Sequence, residues 1–141
     1  MPRARRRSVL LASAVAAAGV AVLAQGGPLW VDATADLLPV TASWTNKVEI
    51  ADLNGDGRPD LIFANGAGYS TPGTPELSQV FLNRGPGARM SEASTQVLGA
   101  TPAFARVVKA RDLNGDGLVD IVVGTTYQTQ SRLYLGTGGG A

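Results

Sequence analysis

A chain of 141 residues with twelve basic and eleven acidic side chains, no histidine and no cysteine excludes several chemistries at once: disulfide stapling, thiolate–metal sites, thiol nucleophiles and every histidine-dependent triad. Four of the arginines lie in the first seven residues, so residues 25–141 carry eight basic against eleven acidic groups, a net −3, which argues against a nucleic-acid partner. Eighteen Gly and eight Pro call for many turns and short elements, the composition of an all-β chain.

Residues 1–24 read as an export signal. Arg3 and Arg5-Arg6-Arg7 form a charged head, Val9 to Leu23 is an apolar run, and Val22-Leu23-Ala24 offers small-residue spacing for cleavage after Ala24. As a helix the 16 residues from Val9 to Ala24 would span about 24 Å, short of a ~30 Å bilayer core, so a cleaved signal is preferred to an anchor and no stable membrane span is expected after cleavage. Arg6-Arg7-Ser8-Val9-Leu10 also resembles a twin-arginine signal, with Val9 where an aromatic residue is more usual. Whether the route is general secretory or twin-arginine, the destination is secreted, cell-surface or periplasmic.

Residues 25–46 form a lead-in segment or strand before a repeat. Ala51-Asp52-Leu53-Asn54-Gly55-Asp56-Gly57-Arg58-Pro59-Asp60-Leu61-Ile62-Phe63 returns 60 residues later as Arg111-Asp112-Leu113-Asn114-Gly115-Asp116-Gly117-Leu118-Val119-Asp120-Ile121-Val122-Val123. Tandem similarity at such a period marks an array of supersecondary units. In the first copy, residues 47–105, Val48–Ala51 alternates as a half-buried strand should, and Leu61–Ala64 is a short apolar run suited to burial on both sides. Residues 66–78 are rich in Gly, Ser, Thr and Pro and form a loop; Val80–Leu82 is a third strand and Thr95–Leu98 an expected fourth. The second copy, residues 106–141, gives strands at Arg106–Ala110, Ile121–Gly124 and Leu133–Leu135, with no fourth.

Each repeat carries Asp, Asn, Asp and Asp at positions 1, 3, 5 and 9 of a loop, with Gly at position 6. Short oxygen-bearing side chains at alternate positions of a tight turn can converge on one point, and Ca²⁺ takes six to eight oxygen ligands in a flexible shell. Asp52, Asn54, Asp56 and Asp60 form one candidate site, and Asp112, Asn114, Asp116 and Asp120 the other. The carbonyls of Arg58 and Leu118, at position 7, would complete the shells. Ordinary Asn-Gly and Asp-Gly turns are the competing reading, weakened because all four side chains recur together. Zinc and copper are disfavoured without His or Cys, and magnesium prefers fewer protein ligands. An EF-hand would need Glu at position 12, where Phe63 and Val123 stand, and flanking helices. Dockerin copies lie closer together and each is followed by a helix; thrombospondin-type calcium repeats are studded with Cys.

The two loops and the apolar strand after each resemble the D-x-N-x-D-G-x-x-D segments of FG-GAP and VCBS-type repeats in integrin-like β-propellers. Trp30-Val31-Asp32-Ala33-Thr34 is similar to the F-x-D-A-T segment that often precedes a blade in secreted members, so the resemblance covers residues 29–141. It implies four-stranded blades with calcium in a loop between the first two strands, and roles in binding, adhesion or scaffolding outside the cell toward a protein or glycan ligand. The expected fold is thus all-β, about two propeller-type blades with the second incomplete, following a signal helix. The 117 residues after the signal make about two periods, against about four to eight blades in a closed propeller. Part of a larger propeller is the preferred reading; self-association through an exposed edge at Leu133–Leu135, or a small open module, are the others. Catalysis is not expected: no serine has a G-x-S-x-G setting, and Glu49, Glu76 and Glu92 have no obvious partners. The alternative is a non-catalytic appendage or fragment of an extracellular hydrolase or lyase. Tyr69 and Tyr127 stand at related places in two loops where they could touch a ligand, or equally shield a blade edge.

Overall fold

The computed structural model describes residues 28–39 and 42–138; the expected signal, residues 1–24, lies outside them. The chain divides into two units, Met1–Val31 and Asp32–Ala141, and all the described strands and helices belong to the second. Among the described residues no helix is long and apolar enough to cross a membrane.

A single helical turn, α1 (Thr34–Leu37), precedes β1 (Thr45–Ala51), β2 (Asp60–Asn65), β3 (Gln79–Leu82), β4 (Ser91–Glu92), α2 (Ser94–Leu98), β5 (Ala105–Arg111), β6 (Asp120–Thr125) and β7 (Arg132–Tyr134). The strands form two antiparallel sheets, ordered β1-β2-β3-β4 and β5-β6-β7. Among the described residues the regular structure is therefore mostly β, with little helix. The repeat holds in register as well as in residue type. Val48 pairs with Phe63 and Ile50 with Leu61 in the first sheet; Val108 pairs with Val123 and Ala110 with Ile121 in the second. Each first strand also breaks register at its start, between Thr45 and Lys47 and between Ala105 and Val107.

The fourth strand falls earlier than the sequence suggests. Ser91–Glu92 pairs with β3, and Ser94–Leu98, expected as a strand over Thr95–Leu98, is the helix α2. The pattern of burial explains this. Ala93, Ser94 and Leu98 are buried and Val97 half-buried, while Thr95 and Gln96 are exposed. That spacing fits a helical period; a strand would have sent alternate residues outward. The Ser94 hydroxyl oxygen accepts the Val80 amide at 2.9 Å, and the Glu92 carboxylate accepts the Ser94 amide at 2.8 Å. The helical turn is thus fixed across the end of the sheet.

Alternation along β2 and β3 puts Ile62, Ala64, Val80 and Leu82 on one face. These join Ala105, Val108, Ile121 and Val123 of the second sheet in one buried cluster, closed by Ala93 and Leu98. On the opposite face of the first sheet, Phe63 and Phe81 meet edge to face at 5.5 Å. The apolar faces of the two sheets do not meet through equivalent residues: Ile62 corresponds to Val122, which is partly exposed, whereas its partners Ile121 and Val123 correspond to Leu61 and Phe63. The front of the first sheet therefore packs on the back of the second.

Polar side-chain contacts across the junction join equivalent positions instead. The Asn46 side-chain amide donates to the carbonyls of Gly66 and Ala105, each at 2.9 Å, and its oxygen accepts from Arg106 at 2.8 Å. Lys109 pairs with Glu49 at 3.0 Å, and Glu76 and Ala103 exchange two backbone hydrogen bonds at 3.0 and 2.9 Å. Asn46 and Arg106, like Glu49 and Lys109, occupy the same repeat position, 60 residues apart.

Gly66 lies hard against the backbone at the start of β5: a β-carbon there would sit 2.7 Å from Phe104 Cα and 2.8 Å from the Ala105 nitrogen. Because backbone rather than a flexible side chain blocks the space, Gly66→Ala is expected to cost about 1–3 kcal/mol, read as a lower urea midpoint with an unchanged slope.

Candidate metal centre

Both Asp/Asn loops connect the first and second strands of a sheet, β1 to β2 and β5 to β6. Their winding needs glycine for backbone angle rather than for space. Gly57 and Gly117 have φ of +80° and +85°, and an added β-carbon would meet nothing within 4 Å.

Within each loop the acidic side chains hold the loop's own amides, and the two copies do so alike. Asp52 takes the N–H groups of Gly55 and Gly57, both at 2.8 Å; Asp112 takes those of Gly115 and Gly117 at 2.7 and 2.9 Å. The Asn54 side-chain oxygen accepts the Asp56 N–H at 3.2 Å, and that of Asn114 the Asp116 N–H at 3.0 Å. Asp56 accepts from the Arg58 N–H at 2.9 Å, and Asp116 from the Leu118 N–H at 2.8 Å. The Asn54 and Asn114 amides donate to Asp56 and Asp116, each at 2.8 Å.

Position 9 behaves differently. Asp60 and Asp120 are wholly buried. Asp60 Oδ2 accepts the Leu53 N–H at 2.9 Å and Oδ1 the Asn83 N–H at 2.8 Å; Asp120 does the same for Leu113 and Gly136, at the same distances. Each carboxylate thereby ties the start of its loop to the chain just after the third strand. Sequence reasoning had no means of finding Asn83 or Gly136 as partners, because they contribute a backbone N–H that any non-proline residue carries.

The donor chemistry fits a hard cation: every candidate ligand in both loops is oxygen, from carboxylate, amide or carbonyl. A carboxylate offers about four acceptor positions, so the amide contacts leave lone pairs on Asp52, Asp56 and Asp60. Asp52 Oδ1 and Asn54 Oδ1 both approach the Asp56 nitrogen, at 3.1 and 3.2 Å, so two of the four ligand side chains already converge. Among the described residues no three acidic side chains stand together as a ready metal-holding group; the carboxylates are turned onto amides.

Electrostatics distinguish the loops. Burial pushes the Asp56 carboxyl up, but the Asn54 amide, the Arg58 N–H and the guanidinium charges of Arg58 and Arg84 outweigh it and leave its pKa below the ordinary value. The Arg58 side chain, which the sequence reading passed over in favour of its carbonyl, forms an ion pair with Asp56. Asp112 is held low chiefly by the Gly117 and Gly115 N–H groups, against a smaller desolvation effect.

The two tyrosine loops are engaged with each other. Tyr127 donates to the Tyr69 carbonyl at 2.8 Å, Arg106 lies 5.7 and 5.5 Å from the two ring centroids, and Phe104 meets Tyr127 edge to face. They brace the junction between units, although Tyr69 still exposes most of its surface.

Two matching loops, each at the first hairpin of an antiparallel sheet and 60 residues apart, define a tandem β-repeat protein. The model of the FG-GAP-like repeat matches residues 52–123, from the first loop through the second to β6, and the chain belongs to that family. It is similar to integrin alpha-7 of Homo sapiens, 32% identical over 101 residues, covering 68% of this chain and 8% of the integrin. The chain thus spans less than a tenth of the length of that relative. No solved structure matches it significantly.

Two outcomes follow from the loop geometry. Asp60→Ala orphans two backbone amides and should cost about 1–3 kcal/mol for each; Asp60→Asn, which keeps one acceptor oxygen, should cost less, both measured by urea unfolding. The pH dependence has a definite sign. Asp56 and Asp112 have folded-state pKa values below their unfolded ones, so their contribution is full above the ordinary carboxylate range, about pH 4, and is lost as pH falls through the lower folded values. Thermal midpoints should drop below about pH 4, and Asp112→Asn should shallow that drop.

Proposed function

We propose that the chain is an exported, calcium-binding module of propeller-type blades that serves binding, adhesion or scaffolding outside the cell, and that it is not an enzyme. The single observation that carries this reading is the duplicated loop. Seven hydrogen-bond contacts of the Asp and Asn side chains at positions 1, 3, 5 and 9 recur in the two copies within 0.2 Å. Turns kept for solubility alone would not need every oxygen side chain in the same place.

In this reading Asp52, Asn54, Asp56, Asp60 and the Arg58 carbonyl hold one ion, and Asp112, Asn114, Asp116, Asp120 and the Leu118 carbonyl the other. The ions would supply no chemistry beyond rigidity and charge balance: two divalent cations would offset the −3 of residues 25–141. Asp52 and Asp56 would release the amides they now hold, while the buried Asp60 keeps its two and lends its remaining lone pairs. Membership of the FG-GAP-like repeat family supports an extracellular binding role, as does similarity to an integrin alpha chain. The glutamates outside the loops have structural work: Glu49 pairs with Lys109, Glu76 accepts the Trp44 amide and Glu92 that of Ser94. That leaves them poorly placed as a catalytic acid and base.

Calcium titrated calorimetrically into the full chain should reveal two sites, with dissociation constants on the order of 10⁻⁴–10⁻³ M as in extracellular modules. Asp56→Ala and Asp116→Ala should each abolish one. A folded chain that takes up no calcium would overturn the metal assignment and return both loops to ordinary turns.

A further inference from the structure

The two loops match in every ligand-bearing side chain yet differ in the charge built around them. Position 7 is Arg58 in the first copy and Leu118 in the second. Arg58 folds back over its own loop: Nη2 donates to Asp56 Oδ2 and Nε to the Asn83 carbonyl at 2.9 Å. The N–H of the same Asn83 is held by Asp60. One guanidinium therefore bridges a candidate ligand and the strand end to which another is tied. Arg84, the residue after Asn83, adds a second positive charge that bears on Asp56.

Neither cation has a counterpart in the second loop. Gly136 plays the part of Asn83, so the residue matching Arg84 is Thr137. Leu118 packs near Gly138, whose added β-carbon would lie 3.6 Å from both Leu118 methyl carbons. Arg111 stands at the end of β5 beside Asp112, but the ion pairs among the described residues are Arg58–Asp56 and Lys109–Glu49. Asp116 Oδ2 has the Asn114 amide as its partner, where Asp56 Oδ2 has both an amide and a guanidinium.

We propose that Arg58 is a resident counter-cation of the first loop that makes the two calcium sites unequal, so that the second loop fills at lower calcium and the first only after the guanidinium is displaced. The inference rests on the calcium reading above. Incoming calcium meets a like charge already paired with Asp56, and has to separate that pair before Asp56 can ligate. The pair is partly solvent-exposed, so the handicap is modest, about 1.5-fold to fivefold in affinity, consistent with exposed ion pairs.

The test is calcium calorimetry on the full chain with one loop disabled at a time. Asp116→Ala leaves the first loop and Asp56→Ala the second; the first should bind about 1.5-fold to fivefold more weakly. Adding Arg58→Leu to Asp116→Ala supplies the residue the second loop already tolerates, and should close most of the gap. Arg58→Lys, which keeps the charge, should leave the gap open. Equal affinities of the two loops, or a gap that Arg58→Leu does not move, would overturn the proposal while leaving two calcium sites standing. No heat of binding from either loop would remove the calcium reading, and this proposal with it.

Discussion

A carboxylate buried out of contact with water is a costly thing to build unless it is fully used. Asp60 and Asp120 are both in that state, and both are used alike, each oxygen taking one backbone N–H from a different stretch of chain. This tie decides where the loop begins, where the third strand ends, and how far apart the two are held. The exposed part of the loop then hangs on a fixed frame, and its smaller contacts, from Asp52 to the Gly55 and Gly57 amides and from Asn54 to Asp56, shape it without having to anchor it. The candidate metal centre is therefore anchored at position 9, while the side chains at positions 1, 3 and 5 bond within the loop itself.

The second level of organisation is the junction of the sheets. Ile62, Val80 and Val108 are wholly excluded from water, and neither sheet could bury these residues alone. Around this apolar seam sits a rim of specific polar contacts: Asn46 bridging two carbonyls, Arg106 answering it, and the Glu76–Ala103 pair. The apolar seam supplies most of the driving force; the rim fixes the relative placement of the units. Glycine at position 66 lets the backbones approach closely enough for both.

What was legible in the sequence was whatever repeats or alternates. The two Asp/Asn loops, the apolar runs at 61–64 and 121–124 and the third strands all carried a pattern of residue types, and each lies in or beside a strand of the expected kind. The fourth strand was misjudged because Thr95–Leu98 is a short β-prone stretch whose helical spacing, Ala93, Ser94, Val97 and Leu98, becomes visible only when Ala93 and Ser94 are counted with it. The partners of Asp60 and Asp120 were hidden because backbone amides have no residue type. The mutual bracing of Tyr69 and Tyr127 was hidden because two loops that are far apart in sequence meet only through the packing of the units that carry them.

Along β1 and β5 the polar contacts are translational: a residue of the first copy meets the residue standing at its own place in the second. A charged residue at such a contact cannot be repeated in both copies without setting like charges together. Asn46 has to offer an acceptor where Arg106 brings donors, and Glu49 has to be negative where Lys109 is positive; two arginines or two lysines would repel. The loops make their side-chain bonds inside one unit and are under no such pressure. Divergence between duplicated copies is thus directed by geometry. Along β1 and β5 only Val48 and Val108 agree, whereas the loops from Asp52 to Asp60 and from Asp112 to Asp120 keep every oxygen-bearing side chain.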